Sequence, residues 1–113
     1  LVADGVCDAE TVDRVVKLGF GSRLSVMGPL EQSDLVGLGL TLAIHEVLMP
    51  AIDRTSEAHP YLRARVESGE TGMSVGKGFR TWTRAEADQA KTRLDVHLLN
   101  EARSRRSKRR LTA

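Results

Sequence analysis

The chain has 113 residues, of which 41% are hydrophobic and 28% are charged. This length fits one domain with one modest core and excludes a multi-domain enzyme, and we expect any deep pocket to need a partner surface. The net charge of +2 combines two unlike parts, because residues 100–113 carry six basic and one acidic side chain and residues 1–99 carry eleven basic and fourteen acidic ones. The basic character belongs to the tail and does not predict nucleic-acid binding by the rest of the chain.

Cysteine content and apolar stretches favour a cytoplasmic protein. The single cysteine, Cys7, excludes an internal disulfide and suits a reducing compartment. The first residues lack the apolar core of a signal peptide, and a start at Leu1 without methionine indicates a piece of a longer protein. The most apolar stretch, residues 35–52, contains Glu46 and Pro50. A central charged side chain costs about 2.5–3.5 kcal/mol in a bilayer, so this stretch predicts a buried helix and no membrane span.

Glycine and proline divide the chain into short helical pieces, and no stretch alternates apolar and polar residues as a strand would. The sequence therefore predicts an all-α domain of about five helices, with a glycine-rich loop and a long C-terminal helix. Residues 1–4 are expected to be the last turn of an earlier helix that ends at Gly5. The predicted helices begin at capping residues or prolines and cover residues 9–18, 29–36, 40–54, 60–68 and 84 onward.

The helix over residues 40–54 is the predicted core helix, because apolar residues lie on several of its sides. Pro50 predicts a break in that helix near residues 46–49. In the next helix the side chains of Tyr61, Leu62 and Val66 are expected to point inward.

Residues 69–83 predict a glycine-rich loop that Phe79 and Trp82 fasten to the body of the domain. Thr83 and Glu86 have the spacing of a capping box, which predicts the start of the last helix.

Sequence motifs for metal or nucleotide binding are incomplete. In the zinc-protease-like run at residues 45–49, Met49 occupies the position of the second histidine. His45, His59 and His97 lie on different predicted elements without ligand spacing, so we predict no metal site. The glycines at 37–39 and 72–78 do not match the dinucleotide or phosphate-loop spacing, so the chain is expected to bind no cofactor alone.

Three blocks, in this order, resemble the C-terminal domain of the NAD-dependent 3-hydroxyacyl-CoA dehydrogenase family: LVADGVCDAETVDRVVKLGFG, MGPLEQSDLVGL and LRARVESGETGMSVGKGF. The most specific parts are residues 27–31 and 76–79. The resemblance implies a helical domain over residues 1–82, truncated at its N-terminus, with residues 83–113 as an additional helix that carries the basic tail.

In that family an N-terminal Rossmann domain binds NAD and supplies the catalytic His and Glu, while the helical domain forms the dimer and closes over the acyl thioester. The resemblance implies that this chain contains no catalytic residue and is inactive alone. It also implies a homodimer, and oxidation of a 3-hydroxyacyl-CoA or related hydroxy acid to the 3-keto product by the full-length protein. Met27, Gly28 and Pro29 are predicted to border the substrate cleft, and a purely packing role is the alternative for them.

Two departures leave the substrate open. Arg80 stands where a Tyr is usual in the family, and residues 21–26 form a longer segment than in the short-chain acyl-CoA members. Both a CoA ester and a free hydroxy acid are therefore consistent with the sequence. The sequence leaves two alternative functions: a stand-alone interaction module without activity, and nucleic-acid contact through residues 103–110, which is disfavoured because no aromatic residues lie between the basic ones.

Overall fold

A computed structural model describes residues 1–112. These residues contain five α-helices, three short 3-10 helices and no strand, which confirms the predicted all-α class. The helices are α1 (Ala9–Leu18), α2 (Pro29–Val36), α3 (Leu38–Leu48), α4 (Pro60–Glu67) and α5 (Arg84–Thr112). The 3-10 helices are Phe20–Arg23, Met49–Ala51 and Met73–Val75.

The chain divides into two units, Leu1–Arg63 and the residues from Ala64 onward. In the first unit α1 packs on the 3-10 helix Phe20–Arg23, α2 packs on α3, and α3 continues into the 3-10 helix Met49–Ala51. In the second unit the first turns of α5 pack on the 3-10 helix Met73–Val75.

Local capping chemistry positions α1 as predicted. The Asp8 carboxylate accepts a hydrogen bond of 2.7 Å from the Thr11 backbone N–H, which satisfies one of the free donors at the helix start. At the other end the Gly19 N–H donates to the Val15 carbonyl at 2.9 Å. A Cβ atom on Gly19 would lie 2.6 Å from that carbonyl oxygen, so glycine is the residue that fits.

The join between α2 and α3 depends on one glycine. Pro29 is the first residue of α2. Proline has no backbone N–H, and at this position the N–H of any other residue would have no partner within the helix. Gly37 ends α2 with φ +99°, a conformation that L side chains rarely adopt, and α3 begins at the next residue. α3 begins two residues before the predicted start at residue 40 and ends at Leu48, and Pro50 lies in the 3-10 helix that follows. The predicted break is confirmed, but the predicted continuation of the helix to residue 54 is wrong, because proline cannot donate the next helical hydrogen bond.

The predicted burial of the core helix is wrong. Within residues 1–112 the one buried apolar side chain is Ala87, which is 5% exposed. Leu40 and Leu42 on α3 are 55% and 59% exposed, because α2 and one short 3-10 helix are too small to cover an apolar helix on several sides. Leu62 and Val66 on α4, also predicted to point inward, are exposed as well, whereas Tyr61 is half-buried.

Backbone hydrogen bonds fix the glycine-rich segment, which carries the two predicted aromatic anchors. Phe79 is 56% exposed, whereas Trp82 is half-buried. The Gly72 N–H donates to the Lys77 carbonyl at 2.8 Å, and the Trp82 N–H donates to the Gly76 carbonyl at 2.8 Å. Backbone pairing of this kind holds the loop.

Candidate functional site

The segment between α1 and α2 holds the three predicted cleft residues, Met27, Gly28 and Pro29. The Met27 N–H donates to the Arg23 carbonyl at 2.9 Å, which ties the segment to the preceding 3-10 helix. Met27 and Gly28 are half-buried, and Pro29 is exposed at the start of α2. The segment is therefore a hydrogen-bonded helix entry whose outer side is open to solvent.

Gly28 occupies the N-cap position of α2 in extended conformation, with no side chain hydrogen-bonded to the helix start. A Cβ atom at this position would lie 3.5 Å from the Glu31 Oε1 atom, an ordinary contact distance. The Glu31 carboxylate lies in the first turn of α2, where the helix dipole favours a negative charge. This end of α2 combines a small residue, a rigid proline and one acidic group.

A second cluster lies in the glycine-rich segment and is centred on Glu70. The Arg65 guanidinium donates to one carboxylate oxygen of Glu70, and the Lys77 Nζ atom lies 3.0 Å from the other. The hydrogen bond from Arg65, followed by that from Lys77, holds the pKa of Glu70 below its ordinary value. Glu70 therefore connects the end of α4 to the middle of the loop.

Sequence reasoning missed this cluster. Arg65 and Glu70 are five residues apart, across the end of a helix at Gly69, and no periodic spacing predicts a pair there. Positive φ at Gly69, +78°, turns the chain so that Glu70 comes back to Arg65. Gly69, which ends the helix, is the sequence feature that could have indicated the cluster.

Arg80, the residue that departs from the family pattern, lies over the Trp82 ring with its guanidinium carbon 4.6 Å from the ring centroid. This distance is within the range of a cation–π interaction. Arg80 thus covers an aromatic face that is half-buried, next to the start of α5.

The three histidines lie on or beside different helices. His45 lies in α3, His97 in α5, and the His59 Nδ1 atom accepts a hydrogen bond of 3.1 Å from the Tyr61 N–H at the start of α4. Within residues 1–112, no group of three or more His, Cys, Asp or Glu residues converges as a metal site would require. Two shallow depressions lie on α1 and α5, and neither includes the predicted cleft residues.

In the sequence between His45 and His59, the Asp53 carboxylate closes a turn. The Thr55 hydroxyl and backbone N–H both donate to it, and these hydrogen bonds lower the pKa of Asp53. This is a local turn motif in the connection from α3 to α4.

None of the described helices has both the length and the hydrophobicity to cross a membrane alone. The pair formed by residues 29–36 and 38–51 reaches these limits by length and composition, but it is bent by 107° at Gly37.

Comparison with known proteins identifies the family. The profile of the 3-hydroxyacyl-CoA dehydrogenase C-terminal domain matches residues 1–82. The chain belongs to the 3-hydroxyacyl-CoA dehydrogenase family. This confirms the resemblance that the three sequence blocks indicated, and the matched range includes both the α2 entry and the Glu70 cluster.

Related dehydrogenases match this chain over only part of their own length. A probable 3-hydroxybutyryl-CoA dehydrogenase from Deinococcus radiodurans is 39% identical over 79 residues, which are 69% of this chain and 27% of that protein. A 5-formyl-3-hydroxy-2-methylpyridine 4-carboxylate 5-dehydrogenase from Mesorhizobium japonicum is 25% identical over 91% of this chain and 35% of that protein. The chain therefore spans about a third or less of the length of these dehydrogenases.

A solved structure supports the fold of this dehydrogenase domain. The crystal structure of a 5-formyl-3-hydroxy-2-methylpyridine 4-carboxylic acid 5-dehydrogenase, described as an NAD+-dependent dismutase, superposes with a TM-score of 0.84. It is 23% identical and covers 91% of this chain and 33% of its own. The likeness shows the helical fold over most of the chain.

Proposed function

We propose that this chain is the dimerising and substrate-closing domain of an NAD-dependent 3-hydroxyacyl-CoA dehydrogenase or a closely related hydroxy-acid dehydrogenase. The observation that carries the proposal is α3: it lies within the family match and exposes apolar side chains on two sides. Such a surface is typical of an interface with a second copy or a second domain.

The exposed apolar side of α3 supports the proposed dimer. Leu40, Ile44 and Val47 share one side of the helix and are all exposed. Full burial of such a side chain is worth about 1.5–3 kcal/mol, so covering three of them gives a large part of the free energy that a stable dimer needs. We infer that α3 packs against a second copy of the domain.

Membership of the family supports the reaction that we propose for the full-length protein. An N-terminal domain would hold NAD+ and supply the catalytic His and Glu. The cofactor would accept the hydride from the hydroxyl carbon of the substrate, and a base of that domain would take the hydroxyl proton, which leaves a ketone. We propose that His45, His59 and His97 take no part in this chemistry and that the chain alone is inactive. In this proposal the full-length enzyme would act on a 3-hydroxyacyl-CoA in the fatty acid metabolism of the cytoplasm.

We further propose that Met27, Gly28 and Pro29 border the cleft that the domain closes. Their support is the fixed helix entry, its open outer side, and their place in the MGP motif of the family. The match to a pyridine-carboxylate dehydrogenase keeps a non-CoA hydroxy acid as the second substrate class.

A chimera tests the enzymatic part. In the Deinococcus radiodurans enzyme, the matching C-terminal region is replaced by this chain, and NADH formation is measured with 3-hydroxybutyryl-CoA and with a pyridine-based hydroxy acid. We expect NADH from the chimera with one of these substrates and none from the 113-residue chain alone. NADH formation by the chain alone, or a folded chimera that is inactive with every hydroxy acid tried, would contradict the proposal.

Sedimentation velocity on the chain tests the dimer. We expect a concentration-dependent dimer, and a monomer at all concentrations would favour a domain that is covered by another part of a longer protein.

A further inference from the structure

The last turns of α5 are exposed and strongly basic. Every residue from 102 to 112 is exposed, and α5 packs on the 3-10 helix Met73–Val75 through its first turns. Within residues 103–110 the basic side chains are Arg103, Arg105, Arg106, Lys108, Arg109 and Arg110. None of the six forms an ion pair with another described residue, Glu101 on the preceding turn included. About 10 Å of helix therefore carries six cations that no described carboxylate pairs.

The helix dipole explains only part of this charge. It favours cations at the C-terminus of a helix, but the effect falls off within the last turn, which contains Arg109 and Arg110. Arg103, Arg105 and Arg106 lie more than one turn before the end of α5. Like charges four residues apart, such as Arg105 and Arg109, also repel each other and disfavour the helix. A negatively charged partner would remove this repulsion.

Five of the six cations share one side of the helix. At about 100° per residue they fall within an arc of about 160°, in the order Arg105, Arg109, Arg106, Arg110 and Arg103. We call this side the arginine face. The opposite side carries Ser104, Ser107 and Leu111, and Lys108 lies about 60° outside the arc. The positive charge therefore points mainly to one side of the helix.

The residue types at this end of α5 select phosphate as the partner chemistry. A guanidinium group matches a phosphate with two parallel hydrogen bonds. Leu111 is the one large apolar side chain in residues 103–112, so this end lacks both the apolar side of a bilayer-bound helix and the apolar anchors of a protein interface. α5 also contains no aromatic residue on which the bases of a single strand would stack. A duplex requires neither feature, because its phosphates supply the non-specific affinity.

We propose that the arginine face binds the phosphates of duplex DNA from the major groove. That groove is about 12 Å wide, which admits an α-helix, and phosphates line both of its walls. At one edge of the face, Arg105 and Arg109 reach the phosphates of one strand. At the other edge Arg103 and Arg110 reach the second strand, and Arg106 in the middle points to the base edges. The serine side of the helix faces water in this arrangement.

This contact goes beyond the proposed dehydrogenase function and does not depend on it. α5 begins after residues 1–82, which the family profile matches. Neither the apolar side of α3 nor the cleft residues Met27, Gly28 and Pro29 take part in it. Failure of the DNA contact therefore leaves the proposed function unchanged, and an inactive chimera leaves the DNA contact unchanged.

The salt dependence of DNA binding by the full chain tests the proposal. The test variant carries Arg103→Gln, Arg105→Gln and Arg110→Gln, which remove phosphate contacts at both edges of the arginine face. Anisotropy of a fluorescent duplex of about 20 base pairs measures binding between about 0.05 and about 0.3 M NaCl. For the parent chain, log K is expected to fall with log[NaCl] with a slope of about −4, because each of the four phosphate contacts contributes about −0.9. The test variant is expected to show a slope of about −1 and at least about ten-fold lower affinity at about 0.1 M NaCl.

The matched control carries Arg84→Gln, Lys91→Gln and Arg93→Gln. It makes the same change in net charge on the earlier turns of α5, outside the arginine face. Its slope and affinity are expected to stay close to those of the parent chain. A third variant replaces the three arginines of the test variant by lysine. It should keep a slope near about −4, because the slope counts neutralised phosphates and lysine keeps the charge.

Several outcomes would overturn the proposal. Absence of duplex binding by the parent chain at about 0.05 M NaCl would do so directly. Equal losses in the test variant and the matched control would show that net charge, and not the arginine face, decides binding. Equal affinity for a single strand with the same number of phosphates would contradict docking in a groove, and a lost slope in the lysine variant would contradict phosphate contact at these positions. Binding to phosphatidylglycerol vesicles without binding to the duplex would assign the basic end to an anionic membrane instead.

Discussion

α3 and α5 are both exposed helices, but they expose different chemistry. α3 has one charged side chain, Glu46, among eleven residues, whereas α5 has thirteen charged side chains among 29. The charged side chains of α5 keep their hydration when they are exposed, so exposure costs them no free energy. A capping box fixes the start of the helix. For α3, the contact of Leu40 and Val47 with water is unfavourable in free energy. The charged sides and the capped start therefore favour α5 as an exposed helix, while α3 needs a second surface.

The largest expected effect is on association through α3. Val47, which is 74% exposed, changes to Lys in the test variant. If a second copy covers α3, this change removes about 2 kcal/mol of apolar burial and adds an ammonium group that must be desolvated, so the dimer dissociation constant should rise at least about 100-fold. Sedimentation equilibrium measures the constant. Val6→Lys, at a 68% exposed position outside the helices, is the matched control and should leave it unchanged. Equal constants for the two variants would mean that α3 is not the interface.

The second effect concerns the glycine that joins α2 to α3. Gly37→Ala should lower the free energy of unfolding by about 2 kcal/mol, because φ is +99° and an alanine there is strained. Gly39→Ala is the paired variant: it lies inside α3, no described atom lies within 4 Å of the added Cβ, and it should raise the free energy of unfolding by up to about 1 kcal/mol. Urea unfolding at one protein concentration measures both. A Gly37→Ala variant that is at least as stable as the parent chain would show that the join does not depend on the conformation of Gly37.

Helix boundaries were predictable because local chemistry decides them. Asp8, Pro29 and Thr83 each act within three or four residues, and their helices start where the sequence predicted. Burial was not predictable in the same way. The apolar pattern of α3 says that the helix needs cover, but it does not say whether the cover comes from the same chain.

In the candidate site, too, the features that depend on local chemistry could be predicted and the others could not. The entry at Met27 and Pro29 is set by backbone geometry and could be predicted, whereas a role in a cleft depends on a surface from outside these residues. The Glu70 cluster was missed because it forms across a helix end, where no repeat spacing applies. In the loop, the backbone hydrogen bonds between Gly72 and Lys77 depend on chain geometry that residue types do not reveal.

A smaller effect is expected at the start of α5. Thr83→Ala removes the hydroxyl that accepts a hydrogen bond of 3.1 Å from the Glu86 N–H, and it should destabilise the helix by about 1 kcal/mol. Thr92→Ala makes the same change in the exposed interior of the helix, where alanine is the better helix former, so it should be neutral or slightly stabilising. Thermal unfolding followed by far-UV circular dichroism distinguishes them. A loss at position 92 as large as that at position 83 would contradict a capping role for Thr83.

The smallest effect is at Glu70, because its ion pairs with Arg65 and Lys77 are open to water. Glu70→Gln should speed hydrogen exchange at the Gly72 and Lys77 amides, which pair with each other across the loop, by less than about five-fold. Glu67→Gln, on α4 and exposed, is the matched control and should change neither amide.

The pH dependence of that exchange has a defined sign. Since the pKa of Glu70 is lowered in the folded chain, chiefly by the hydrogen bond from Arg65, the folded state favours the carboxylate. Its stabilising effect is complete above the ordinary value of 4.5 and is lost as pH falls through the lower, folded pKa. Below pH 4.5 the parent loop should therefore approach the behaviour of Glu70→Gln, once the intrinsic pH dependence of exchange is divided out. A difference between parent and variant that persists after Glu70 is protonated would show that the loop depends on the shape of the side chain and not on its charge.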